Sequence, residues 1–485
     1  MPPRVERLAA PVVAALVSDR LPGTAPRYRE LATALRDRVA DGSLPEGAQL
    51  PPERALAGAL ALSRVTVASA YRQLRADGWA IARQGAGTFA ARPAAGATWA
   101  AMARPPVDGV IDLVNAAAEA PPELILAYRE ATDLLPAHIG NHGYHPGGIA
   151  ALRAAIADYY RRRGLPTTAD QILVTGGGGD GIAVAMEGLV QPGDRVLVEH
   201  PTYAGAVEAV QAAGGRCVPV PLDAADPDAF VVDADRAARQ SSPTVAYLMP
   251  DFSNPTGARA TDTGRRTLAA TLVRHGVTAL VDEVPADLVL DGSGNREPFG
   301  VPVPDTATVT VGSLSKVVWG GIRVGWIRAD ASRIVQLAGI MARRQLSVSV
   351  VDQLAAVLLL GDYDHLISRR RSESRRRRDA LVDAVSAELP EWSFHVPAGG
   401  LSLWCRLPAG TSSTELVASA ADRGLRLAPG PRFGTGHLFD DHQRLPYTRP
   451  VPELLAAVRI LASVATAAPT SAVRAVAPAV TGLVV

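Results

Sequence analysis

From Ile111 to about Val464, short β-branched runs alternate with segments whose apolar residues recur at helical spacing. That alternation leaves few architectures open. Strand–helix–strand units wind into a mostly parallel sheet with helices on its faces, an α/β fold. Candidate strands are Ile172–Thr175, Arg195–Glu199, Val245–Met249, Ala279–Asp282 and Thr306–Val311. Open sheets of this kind bind ligands at the C-terminal ends of their strands, and the chemically informative residues cluster there.

Lys316, after the last of these strands, is the only lysine in the chain; all other members of the Lys+Arg total of 49 are arginine. A composition this biased replaces any lysine whose task is merely to be positive. Lysine alone can lose its proton at accessible cost and attack a carbonyl as a free amine. Its setting, TVTVGSLSKVVWGGIRVGW (Thr308–Trp326), is apolar and Gly-rich, which disfavours a stray surface ammonium and favours a Schiff-base lysine holding pyridoxal phosphate. Ser313, Ser315 and Arg323 suit a phosphate monoester, since hydroxyls and a guanidinium fork are its usual donors. TGGGGDGIAVAMEGL (Thr175–Leu189) reads as a strand end, a glycine run and a helix start, whose backbone N–H groups at Gly178 and Gly179 can cradle a phosphate.

Composition excludes other classes. Hydrophobic residues make up 48% and charged residues 20%, as in ordinary globular proteins. No run is long enough to span a bilayer, and no N-terminal stretch reads as a signal peptide. Two cysteines, Cys217 and Cys405, give no disulfide or metal framework and fit a reduced cytoplasm. The net charge is +1, but residues 1–92 hold 13 arginines against 8 acidic residues. A basic excess confined to one end is the footprint of a nucleic-acid module and equally of a solvated surface.

That end has its own pattern. Residues 1–25 form an arm or one short helix. Tyr28, Leu31, Ala32, Leu35 and Val39 then recur at helical spacing up to Gly42. A second helix follows Pro51-Pro52 and runs through Leu56 and Leu60. Ser63 reads as the N-cap of a third, with Val67, Ala70, Tyr71 and Leu74 inward and Gly78 at its end. Trp79–Arg83 and Thr88–Arg92, joined by Gly85-Ala86-Gly87, complete a winged helix-turn-helix. Residues 93–107, rich in Ala and Pro, read as a linker.

The stretch GSLPEGAQLPPERALAGALALSRVTVASAYRQLRADGWAIARQGAGTF resembles a GntR-type DNA-binding domain from end to end. The resemblance implies that the helix beginning at Ser63 lies in the major groove of a double-stranded operator. Arg54 and Arg64 would reach base edges or phosphates, Thr66 would hold a phosphate, and Gly87 would let the wing approach the backbone. GSLSK…GGIRVGW resembles the lysine segment of fold-type I pyridoxal-phosphate enzymes, the aminotransferase superfamily. In that likeness Asn254 in DFSNPTG meets the cofactor's phenolic oxygen and Tyr203 in EHPTY lies on the pyridine face. Asp282, ending TALVDE, holds the pyridine nitrogen protonated, and Tyr144 in GYHPGG reaches the phosphate of the neighbouring subunit. PAGGLSLW and RLPYT match segments of a smaller C-terminal α+β subdomain, where Arg444 clamps a substrate or effector carboxylate.

The two resemblances together are those of the MocR family of bacterial transcription regulators, over about residues 25–465. They imply a cytoplasmic head-to-tail homodimer whose aminotransferase-like domain senses pyridoxal phosphate or its adduct with a small amino compound. An active aminotransferase with a DNA-binding appendage is the alternative. The expected division is arm 1–25, DNA-binding domain 26–92, linker 93–107, aminotransferase-like domain 108–465 and a disordered tail 466–485. Two departures from the pattern stand out. Asp180 brings a negative charge to the phosphate loop, and the tyrosine usual after the ring-nitrogen aspartate is missing from Glu283-Val284-Pro285. The run SRRRSESRRRRDA (Ser368–Ala380) reads as the solvated face of a long helix.

Overall fold

Apolar residues at helical spacing build the N-terminal domain as the sequence leads one to expect. A computed structural model of the chain describes residues 8–18, 21, 27–40, 44–45, 47–76, 79–83, 87–91, 109–292, 297–435 and 438–467. The linker 93–107, Gly42, Gly78, Gly85, Ala86 and the tail beyond Ala467 lie outside the described residues. Helices α1 (Ala10–Val17), α2 (Arg27–Ala40), α3 (Glu53–Ala59) and α4 (Arg64–Ala76) precede the antiparallel wing β1 (Ala80–Arg83) and β2 (Gly87–Ala90). Val13, Val17, Leu31, Leu35, Leu56, Val67, Tyr71 and Leu74 share one core. Each such side chain contributes about 1.5–3 kcal/mol on burial. The short helix α1 therefore belongs to this domain's core and is not a free arm.

The large domain begins with β3 (Ile111–Asp112), α5 (Glu123–Leu134) and α6 (Ala150–Arg162). It continues through β4 (Ile172–Thr175), α7 (Gly178–Leu189), β5 (Arg195–His200), α8 (Ala204–Ala212), β6 (Arg216–Pro221) and α9 (Ala229–Ser241). Next come β7 (Val245–Leu248), α10 (Asp262–His275), β8 (Thr278–Asp282), β9 (Thr308–Ser313), β10 (Gly325–Arg328), α11 (Ala331–Arg344) and α12 (Val350–Gly361). The seven-stranded sheet runs β4-β10-β9-β8-β7-β5-β6, with β10 antiparallel to both neighbours and the remaining pairs parallel. Apolar clusters cover it on its two sides, one around Val174, Val198 and Val311 and one around Leu197, Leu248 and Leu272.

Sequence reading did not anticipate β10. Its four residues end in Arg328, which looks like a surface residue yet is fully buried. The guanidinium donates to Thr167 Oγ1 at 2.9 Å, Asp305 Oδ1 at 2.9 Å and Pro166 O at 3.1 Å. Strand β9 starts at Thr308 rather than Thr306, because Asp305–Ala307 form a 3-10 turn.

The long helix α13 (Tyr363–Glu388) leads into the small subdomain: β11 (Ser393–Phe394), β12 (Ser402–Arg406), α14 (Ser413–Ala421), β13 (Leu425–Arg426), β14 (His442–Pro446) and α15 (Val451–Ala467). β11, β12 and β14 form an antiparallel sheet, and β13 pairs in parallel with β3. The arginine run does lie on a helix, but the expected solvated face needs correction. Arg370, Arg377 and Arg378 are buried. Arg370 donates to Val317 O and Val318 O at 2.9 Å and to Glu119 O at 2.7 Å, so it clamps the turn that carries Lys316. Arg377 donates to Thr448 O at 2.7 Å and Arg378 to Pro397 O at 2.9 Å. Among the described residues, no helix is long and apolar enough to cross a membrane.

Candidate functional site

Strands β4, β5, β7, β8 and β9 deliver one functional segment each at the same end of the sheet. Lys316 follows β9, part-buried, and its Nζ donates to Ala116 O at 2.7 Å. Burial, with the Arg444 guanidinium second, pushes its ammonium down to about 8 against the opposing pull of Asp282. An amine in this setting reaches its nucleophilic form near neutral pH.

Asp282 ends β8 and is buried. Its Oδ1 accepts Val284 N–H at 2.9 Å and its Oδ2 accepts the Tyr247 hydroxyl at 2.8 Å. Burial raises its proton affinity, while those two hydrogen bonds and Lys316 favour the charged form. Sequence reading missed Tyr247, which passes for an ordinary strand aromatic. It also missed Glu199 at the end of β5. That carboxyl accepts Met249 N–H at 2.7 Å and the Ser253 hydroxyl at 2.6 Å, and burial lifts it to about 7.

The glycine run opens α7, where free N–H groups face outward. Gly177 has φ +112°, and a β-carbon there would lie 3.0 Å from Arg323 Nη1. One at Gly178 would lie 3.5 Å from the Ser313 Cβ and only 2.6 Å from Val284 Cγ2. One at Gly179 would lie 3.6 Å from the Tyr203 hydroxyl. The missing side chains thus leave a cradle of helix N–H groups beside Arg323 and Tyr203, whose donors suit a phosphate seat. A lone lysine amine, a buried strand-end carboxylate and this cradle together fit pyridoxal phosphate.

Asp180 does not aim its charge into the cradle. It accepts Gly176 N–H at 3.0 Å and faces Arg344 at 3.8 Å. Ser313 departs from its expected part as a phosphate donor. Its hydroxyl donates to Val324 O at 3.0 Å and accepts Ser315 N–H at 3.1 Å, so it braces the lysine turn. Val284, in place of the usual tyrosine region, packs against the cradle, and Glu283 turns away to a buried pair with Arg163 at 3.4 Å.

Arg444 comes from β14 in the small subdomain and is buried. It donates to Asn254 Oδ1 at 3.1 Å and to Val114 O at 2.5 Å, and its guanidinium lies 4.6 Å over the Phe433 ring. Its Nε is buried with no partner. Burial, and then the Arg432 charge, depress its pKa, which favours an incoming anion. Lys316, Asp282, Asn254, Tyr203, Arg323, Arg444 and the Gly178–Gly179 amides are therefore gathered in one place. Tyr144 is not: it sits exposed between α5 and α6, stacked on His142 at 5.5 Å.

In the N-terminal domain, Ser63 Oγ accepts Thr66 N–H at 3.0 Å and lies 2.8 Å from Thr66 Oγ1, capping α4. Arg54 and Arg64 are exposed, with Arg64 Nε 3.8 Å from Glu53. Gly87 opens the second wing strand at φ +104°, and a β-carbon there would meet Gln49 at 3.0 Å. Tyr71 fixes α4 by donating to Pro51 O at 2.8 Å.

The comparisons agree with both halves. Residues 112–449 match the family Aminotransferase class I and II, and residues 27–90 match Bacterial regulatory proteins, gntR family. The uncharacterized HTH-type transcriptional regulator YdcR of Escherichia coli (strain K12) is 29% identical over 84% of this chain and 92% of its own length. YdfD of Bacillus subtilis (strain 168), which carries the same description, is 24% identical over 84% of this chain and 89% of its own length. The alpha-aminoadipate aminotransferase LysN from Thermus thermophilus shares the fold, with a TM-score of 0.68 at 24% identity over 74% of this chain and 92% of that one.

Proposed function

Since this chain belongs to the aminotransferase class I and II family and joins to it a GntR-type DNA-binding domain, the architecture of MocR-like transcription regulators, we propose that its aminotransferase part is a sensor that sets operator binding. Pyridoxal phosphate, when bound, supplies an aldehyde that condenses with amines and a ring that withdraws electrons. Lys316 is the amine that holds it, and Asp282, kept in place by Tyr247, keeps the ring nitrogen protonated. Asn254 would meet the phenolic oxygen and Tyr203 would lie on the ring. The α7 N-terminus with Arg323 and Ser315 takes the phosphate, with Ser313 bracing the turn.

The observation that carries the effector class is Arg444: a buried guanidinium beside Lys316 with an unused Nε. An amine-reactive centre beside a carboxylate seat fits a small amino acid. Arg54, Ser63, Arg64, Thr66 and Gly87 form the operator-facing surface, with the exposed arginines on bases or phosphates. Exposed Ile125, Leu126, Ile139 and Tyr144, on one stretch of chain, support a head-to-tail homodimer in which Tyr144 serves the partner's site. A protein that acts on DNA in this way works in the bacterial cytoplasm.

Footprinting of the operator with and without cofactor, then with candidate amino acids, tests the reading. The footprint should change when cofactor and effector are both present. Rapid release of a keto acid with an unchanged footprint would favour a working aminotransferase instead.

A further inference from the structure

The residues that lead from the linker into the large domain form a short strap held at both ends. At its start, Ile111 N–H donates to Gly424 O at 2.8 Å and Leu113 N–H to Arg426 O at 2.9 Å. The Asp112 carboxylate faces Arg426 at 3.0 Å. At its far end Glu119 O accepts from Arg370 at 2.7 Å. Between these anchors the strap lays two carbonyls on two cations of the site. Val114 O accepts from Arg444 Nη2 at 2.5 Å and Ala116 O from Lys316 Nζ at 2.7 Å. Its turn is set locally, with Val114 N–H donating to Asp112 Oδ1 at 2.9 Å and Ala117 N–H to Asn115 O at 3.0 Å.

A carboxylate is gripped best by two parallel N–H groups on one edge of a guanidinium. Arg444 Nη1 is turned to Asn254 at 3.1 Å, which leaves the edge made by the unpartnered Nε and by Nη2. Nη2 is where the Val114 carbonyl sits. A carboxylate makes the stronger, charge-assisted bond, and on that edge it competes with the Val114 carbonyl for Nη2. Any aldehyde that takes the Lys316 amine competes with Ala116 O in the same manner.

We infer that the strap Leu113–Ala117 is a latch displaced by the effector: a carboxylate on the Nε–Nη2 edge of Arg444 lifts the Val114 carbonyl and loosens β3, the first strand after the linker. The inference rests on the reading of Arg444 as a carboxylate seat. It supplies a short path from the ligand to the strand that follows the linker, because one residue, Leu113, separates Val114 from the β3–β13 pairing. The bistable element that both ends bias is this strap.

The test is hydrogen–deuterium exchange of the full chain, read on peptides covering Ile111–Ala117, with propionate as an amine-free carboxylate probe. Calorimetry of the same mixture reports whether propionate binds. Saturating propionate should speed exchange there by about tenfold, the scale of one lost charge-assisted hydrogen bond. In Arg444→Met the strap should already exchange fast and ignore propionate. Heat of binding with unchanged exchange in the wild type overturns the latch and leaves the carboxylate seat standing. No heat at all overturns the seat, and the latch falls with it. The wild-type titration decides the matter even if the variant fails to fold.

Discussion

The hydroxyl of Tyr247 on β7 donates to Asp282 at the end of the adjacent parallel strand, 2.8 Å away, with both groups buried. This bond favours the charged form of a carboxylate whose proton affinity burial raises. Tyr247→Phe should weaken pyridoxal phosphate binding by about tenfold or more, the worth of a hydrogen bond to a charged group. Titration of the cofactor's absorbance measures this. The melting temperature should change little, since the ring stays packed. An unaltered affinity would remove Tyr247 from the site's working parts.

Lys316 sets a pH dependence with a definite sign. Its ammonium is lowered from 10.5 to about 8, so the free-amine fraction grows as pH rises through about 8. The rate of cofactor capture should climb with pH below that point and level off above it. Stopped-flow absorbance across the range reads the midpoint. Lys316→Ala should abolish the cofactor's lysine-linked absorbance band while its circular dichroism stays that of the parent. A variant that kept the band would mean another nucleophile holds the aldehyde.

Glu199 gives the opposite slope in stability. Burial raises its carboxyl from 4.5 to about 7, so the folded chain binds the proton more tightly than the unfolded chain between those values. Its stabilising contribution is full below 4.5 and is lost as pH rises through about 7. Glu199→Gln, which can keep both hydrogen bonds, should flatten this part of the pH profile. Urea denaturation at a series of pH values decides it, and parallel curves for the two proteins would count against the buried acid.

These residues show where sequence reading stops. The strand ends carrying Asp282, Asn254 and Lys316 were legible because local pattern and chemistry coincide there. Tyr247 was not, since its role depends on a neighbouring strand 35 residues away. The α13 arginines look solvated because many of their partners are backbone carbonyls, which leave no mark in composition. Ser313 shows the converse: its type suited a phosphate, but in the fold its proton goes to Val324 O, eleven residues on.

Operator recognition is open to one substitution. Arg64 is exposed at the start of α4, tethered loosely to Glu53. If it reads a base, Arg64→Ala should weaken operator binding by about 1–3 kcal/mol and relax specificity at that position. Equal loss on every sequence, with a shallower salt dependence, would mark a phosphate contact instead. Competition binding with single-base operator variants separates the two.

The pairing of β3 with β13 also constrains how the chain comes together. Ile111 and Leu425 lie more than three hundred residues apart and are partners in register. During synthesis the winged domain can fold early from local contacts, whereas the stretch just behind it stays without its strand partner until almost the last helix has been made. The ribosome thus releases a DNA-binding module well before its tether has anything to be fastened to.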